Sequence, residues 1–194
     1  SNRTRNRAKA AGLQISDATC PLVHYAHKQI LELTAIGYHP IIIGRLGHVE
    51  VRGLTEDLSE YDVVLCEDEI NALTAKPRFG VVAQTTQPIA RVRALVKHLK
   101  SGFPNSEVRF IDTVCKPTKQ RQSAAEKLAR KSDMVLVVGG INSNNTHELM
   151  RTCRRFCERV HHVQGRDEIL AEWLFDTDTI GITAGTSPPD ELID

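Results

Sequence analysis

Cys20 and Cys115 each stand three residues after an aspartate, in "DATCPLV" and "DTVCKPT", and each opens a helical pattern. A thiol at a helix N-terminus is biased toward the thiolate, and soft ligands of that kind suit iron–sulfur clusters or zinc. A cluster needs more than two protein thiolates, so the spacing predicts a further one from outside this chain. A zinc or disulfide link between the two cysteines remains the rival reading. Other reactive types fall at comparable places: "GHVE" (47–50), "QTT" (84–86), "NSNN" (142–145) and "GTS" (185–187). They bring hydroxyls, amides, one imidazole and one carboxylate, with almost no positive charge. Helix N-termini with Ser, Thr, Asn and His donors hold phosphate or diphosphate without lysine. The same residues are common N-caps and turn formers, so each taken singly reads as structural.

The remaining thiols and imidazoles read as structure. Cys66 falls in the apolar run "YDVVLCE" and is expected in the core. Cys153 and Cys157 are one helical turn apart and should pack inward from one face. His161 and His162 are neighbours on an expected strand, so they point to opposite faces and are read as surface residues. His24 and His27 are expected to be solvated or at the core edge.

What positions these groups is an alternation of short β-rich runs and longer helical patterns. Strands are expected at 13–18, 39–46, 61–67, 79–85, 107–113, 133–140, 160–164 and 179–185. Several are nearly continuous Val, Ile and Leu, as strands covered on both faces should be. Helices are expected at 22–36, closed by Gly37, and at 88–100, 117–131 and 145–159. The fold class is therefore α/β with mainly parallel sheets flanked by helices. A repeat runs through it. At an offset of 95, Asp17-x-x-Cys20 falls on Asp112-x-x-Cys115, and "IIIGRLGHVE" falls on "LVVGGINSNN". At an offset of 101, "GVVAQTTQP" falls on "GITAGTSPP". This order suggests two copies of one α/β unit. Ligands in such sheets bind beyond the carboxyl ends of the strands, where all of these groups lie.

The bulk properties narrow the function. The chain has 194 residues, 41% of them hydrophobic, enough for one large or two small cored domains. A net charge of +1 offers no footprint for nucleic acid or a membrane surface. No apolar stretch approaches a membrane span. Five widely spaced cysteines argue for reduced thiols in a cytoplasmic setting rather than a secreted disulfide framework. The opening "SNRTRNRAKAAGLQ" reads as a solvated helical face.

Taken together, "DATCPLV", "GRLGHVEVRG", "VAQTT", "DTVCKPTKQRQ", "VVGGINSNNTHEL", "AEW" (171–173) and "ITAGTSPPD" resemble the LytB-type 4-hydroxy-3-methylbut-2-enyl diphosphate reductases, in family order across nearly the whole chain. The resemblance implies three similar α/β modules around a [4Fe–4S] cluster, each giving one cysteine. On that basis residues 1–20 are the end of an N-terminal module, 21–112 a middle module and 113–194 a C-terminal module, and the sequence looks like a fragment beginning after an "HGV" segment. It implies Cys20 and Cys115 as cluster ligands, Glu50 as the proton donor and Thr85 as its neighbour at the substrate hydroxyl. His48, Ser143, Asn145 and Ser187 match substrate or diphosphate contacts. Asn144 departs from the serine usual there, though an amide can still donate. The implied reaction is reductive dehydration of the allylic diphosphate to isopentenyl and dimethylallyl diphosphates, the last step of the non-mevalonate isoprenoid pathway. Electrons would come from a ferredoxin or flavodoxin-type donor. The competing expectation is a metal-free α/β module that binds phosphate esters and catalyses nothing.

Overall fold

The computed structural model describes residues 1–185, in two compact units, Ser1–Cys115 and the part that begins at Lys116. In the first, α1 (Asn2–Ala10) is followed by α2 (Pro21–Ala35), β1 (His39–Ile43), α3 (Val49–Thr55), β2 (Asp62–Val64) and α4 (Glu67–Asn71). Then come β3 (Arg78–Ala83), α5 (Ile89–Gly102) and β4 (Glu107–Phe110). The strands form one parallel sheet in the order β2-β1-β3-β4.

Because side chains alternate along a strand, the unbroken apolar runs feed two cores. Ile41, Ile43, Val81 and Ala83 face one layer with Ile70 of α4 and Val92, Leu95 and Leu99 of α5. Ile42 and Val82 face the other, with Ala26, Ile30 and Leu33 of α2 and Val51 and Leu54 of α3. Leu33 is almost wholly buried, so Leu33→Ala would cost about 2–5 kcal/mol. Gly80 lets α2 sit this close, since a Cβ there would lie 3.0 Å from Leu33 Cβ. The helix stops as its sequence dictates. Gly37 takes φ +83°, and the Tyr38 N–H returns to Leu33 O at 3.1 Å.

The second unit holds α6 (Lys116–Ala129), β5 (Met134–Val138), α7 (Asn144–Cys153), β6 (Arg159–Val163), two short 3-10 turns and β7 (Ile180–Ala184). Its parallel sheet has the order β6-β5-β7. Val135 and Val137 pack against Ala125 and Ala129 of α6 and against Leu149 and Cys153 of α7. The internal repeat is visible in this topology. β1 lies between β2 and β3 just as β5 lies between β6 and β7, with the same chain order.

Several expectations need correction. Residues 13–18 form no strand; Leu13 and Ile15 are exposed, and with no ladder to join, β propensity alone does not make one. Cys66 is not a core residue within a strand. β2 ends at Val64, and Cys66 is the exposed N-cap of α4. The helix expected at 145–159 stops at Cys153, because the chain must turn into β6 by Arg159. His161 and His162 are half-buried rather than simply on the surface, and each has a partner: His161 stacks on Trp173 and His162 bonds Gly139 O. Cys153 and Cys157 are buried as expected. Burial, and then the neighbouring Cys157, push the Cys153 thiol up to about 11, so it stays a protonated core side chain.

Candidate active site

The aspartates of the two Asp-x-x-Cys motifs do the same local work. Asp17 Oδ1 accepts the Thr19 N–H at 2.9 Å, and Asp112 Oδ1 accepts the Val114 N–H at 3.2 Å. Each closes a side-chain turn that delivers the cysteine one residue later. Cys20 is thereby placed as the N-cap of α2, with Pro21 at the first helical position. Its sulfur makes no capping bond and is exposed. Arg5 and His24 both meet the Asp17 carboxylate from the side.

Beyond the end of β1 the chain runs through Gly44 and Gly47 to His48. A Cβ on Gly44 would lie 2.8 Å from Val51 Cγ2 and 3.0 Å from Gln84 Cβ, so only glycine lets α3 pack against the end of β3. His48 caps α3: its Nδ1 accepts the Glu50 N–H at 3.1 Å. An accepting Nδ1 carries no proton, so in the neutral ring the Nε2–H is the remaining donor. Burial first, and then the Arg45 cation, hold the His48 pKa below the usual imidazole value and keep that ring neutral.

Glu50 and Thr85 come together. Thr85 N–H donates to Glu50 Oε1 at 2.6 Å, and the Thr85 hydroxyl bonds the same carboxyl. Burial raises the Glu50 pKa, against the pull of those two bonds. Thr85 also reaches the second cysteine, since its carbonyl accepts the Cys115 N–H at 3.0 Å. Next to it, Thr113 Oγ1 accepts from Ala83 N at 2.9 Å and donates to Ala83 O at 2.6 Å, extending the sheet edge by a side chain. Glu50, Thr85 and Cys115 thus form one hydrogen-bonded line across the carboxyl end of β3. A cavity of about 500 Å³ opens beside it, bordered by Glu50, Asp17, Thr19, Val23 and His24.

In the second unit Ser143 caps α7 by accepting the Thr146 N–H at 3.3 Å. Asn144 is half-buried at the first helical position. Asn145 is 5% exposed, and its Nδ2 has no hydrogen-bond partner among the described residues. A buried amide left unsatisfied is costly and suits a polar ligand. Gly139 and Gly185 frame this turn, since a Cβ at either would lie 2.3 Å or 2.7 Å from Thr146 Oγ1. Ser187 lies outside the described residues.

The sequence reading did not find the Thr85–Cys115 amide bond, the Arg45 field on His48 or the shared aspartate turns. The last was available, because Asp two residues before an N–H is a turn signal. Neither Cys20 nor Cys115 is in a disulfide. Two thiols, each delivered by the same turn, suit soft-metal ligation. Among the described residues no three His, Cys, Asp or Glu side chains gather to complete a metal site.

Two parallel sheets that share one three-strand order, flanked by helices and with polar side chains beyond the carboxyl ends of their strands, define an α/β protein of repeated modules. The family described as LytB protein matches residues 1–194, and the chain belongs to it. It is 38% identical over 184 residues to a 4-hydroxy-3-methylbut-2-enyl diphosphate reductase of Pelobacter propionicus, covering 94% of this chain and 65% of that protein. A protein of the same name from Anaeromyxobacter sp. is 37% identical over 190 residues, covering 97% and 66%. The solved E-1-hydroxy-2-methyl-but-2-enyl-4-diphosphate reductase of Plasmodium falciparum superposes with a TM-score of 0.92 at 28% identity, covering 100% of this chain and 62% of that one. The chain therefore spans 65% of the length of the first of these relatives.

Proposed function

We propose that this chain forms the greater part of a LytB-type reductase that converts 4-hydroxy-3-methylbut-2-enyl diphosphate to isopentenyl and dimethylallyl diphosphates by reductive dehydration. The observation that carries this reading is the line Glu50–Thr85–Cys115, which ties a carboxyl of raised pKa to a cysteine through a single residue. Cys20 and Cys115 would hold a [4Fe–4S] cluster with a third thiolate from outside this chain. When bound, the cluster supplies electrons singly and a Lewis-acidic iron. The electrons come from a ferredoxin or flavodoxin-type protein, in a cytoplasmic, reducing compartment that keeps the thiols free.

The chain's own residues then have separable tasks. Glu50, held toward its neutral form by burial, keeps a proton for the departing hydroxyl. Thr85 fixes the carboxyl by its N–H and offers its hydroxyl as the relay. His48 Nε2–H donates to a diphosphate oxygen, since its Nδ1 is taken by the α3 cap. Ser143, Asn144, Asn145 and Ser187 bind the diphosphate and orient the allyl chain. Among the described residues no helix is long and apolar enough to cross a membrane.

The test is Glu50→Gln in a protein completed with the regions its relatives have beyond the match. Cluster absorbance and EPR are expected to be unchanged, while turnover falls by about 100-fold or more. Undiminished turnover removes Glu50 from this role. Failure of the completed wild-type protein to take up iron and sulfide anaerobically would favour a metal-free phosphate-ester-binding module.

A further inference from the structure

His147 and His162 have no part in the mechanism above, yet both imidazoles hold the loop that leads into α7. His162 Nε2 lies 2.7 Å from Gly139 O, and His147 Nε2 lies 2.6 Å from Ile141 O. A carbonyl oxygen only accepts, so each Nε2 carries the proton. The ring centroids are 6.3 Å apart, one ring from α7 and the other from β6. Among the described residues no peptide bond is cis. In a trans peptide the C=O and the following N–H point opposite ways. The Gly140 N–H is therefore turned away from His162, and the Asn142 N–H away from His147. The carbonyl between them, Gly140 O, accepts the Ser143 N–H at 3.0 Å. All three carbonyls of residues 139–141 are thus engaged. The Ile141 N–H makes only a long 3.4 Å contact with Gln164 Oε1. The turn is continuous with the N-terminus of α7, where the buried Asn145 Nδ2 has no partner among the described residues.

We propose that His147 and His162 are positioning residues that clamp the 139–142 turn, so that its amides, with Asn145, receive a diphosphate group. The proposal rests on the reading of α7 as the diphosphate site. The clamp acts through hydrogen-bond donation, so a side chain of similar reach that donates should replace imidazole, and one of similar bulk that does not donate should fail.

The test titrates inorganic diphosphate into the 194-residue chain by calorimetry, for the wild type, His147→Leu, His162→Leu, His147→Gln and His162→Gln, with thermal melts to confirm folding. Each leucine variant is expected to weaken binding about tenfold, the effect of one lost hydrogen bond passed on to the site. Each glutamine variant should bind within about threefold of the wild type, because its amide restores the donor. A residue that only supports the fold would show no such rescue. Leucine variants that bind like the wild type, or glutamine variants as weak as leucine, overturn the clamp and leave the diphosphate site standing. A wild-type chain with no affinity for diphosphate overturns both. If His162→Leu does not fold, the pair at position 147, on a half-exposed residue, decides the matter alone.

Discussion

A carboxyl that must hand over a proton has to hold one first, and the surroundings of Glu50 favour that form. Burial pushes its pKa up, while the Thr85 N–H and hydroxyl pull it back only in part. His48 is the reverse case: burial, then Arg45, keep its ring neutral. Two residues at one helix start are thus both biased toward the uncharged state. This bias has a measurable effect on stability. The folded chain binds the Glu50 proton more tightly than the unfolded chain does. Stability is therefore lost as pH rises from the ordinary glutamate value of 4.5 through the raised one. Glu50→Gln removes that loss and keeps an oxygen to accept the Thr85 N–H. Its urea midpoint should exceed that of the wild type at pH 8, and the gap should close by pH 4. A gap that is constant across this range would mean that burial does not control this carboxyl.

Two short elements near these residues, α1 and α3, depend on a few local contacts. α1 has no buried residue and only nine positions, too few to be stable alone. It is held by α3's end: Asp57 accepts the Asn2 and Arg3 N–H groups at 2.6 Å and 2.8 Å, and Glu56 bonds Thr4 Oγ1 at 2.9 Å. Burial alone would raise the Asp57 pKa, but the Asn2 and Arg3 amides and His27 together bring it below its ordinary value. Stabilisation from a depressed carboxyl is present above the ordinary value of 3.8 and lost as pH falls through the lowered one. Asp57→Ala should cost about 1 kcal/mol in urea unfolding, with faster amide exchange across residues 2–10. Acidification below pH 3.8 should do the same to the wild type. The contact of α3 with β3 depends instead on space. Gly44→Ala puts a methyl 2.8 Å from Val51 Cγ2 and should destabilise by about 1–3 kcal/mol. In a Gly44→Ala/Val51→Ala double variant the cost should be less than the sum of the two single costs, because the clash is shared. Additive costs would show that the strain lies elsewhere.

At the scale of the whole molecule, the duplication was legible because it appears twice over. The repeated glycine, cap and hydroxyl positions in the sequence became two sheets that share a three-strand order, β2-β1-β3 and β6-β5-β7. The long strands and helices were legible for the same reason, since their periodic patterns extend over many residues. α3 and α4 were not, as helices of seven and five residues hold too few turns for a period to show. Cys66 was misread because the apolar run "VVLC" gives no sign that pairing ends at Val64; the exposed acidic residues that follow cap a helix instead. The five thiols therefore sort by position rather than by local sequence. Cys20 and Cys66 are exposed, Cys115 is half-buried, and Cys153 and Cys157 are enclosed in the α6–α7 core. A maleimide probe on the native chain should label Cys20 and Cys66 fast, Cys115 more slowly, and the last two only after unfolding. Iron retention should follow a different division. After anaerobic reconstitution of the completed protein, Cys20→Ser and Cys115→Ser should each lose most of the iron, while Cys66→Ser keeps it although Cys66, like Cys20, is exposed. Equal losses at all three positions would mean that exposure, not placement behind an Asp-x-x-Cys turn, decides which sulfurs bind metal.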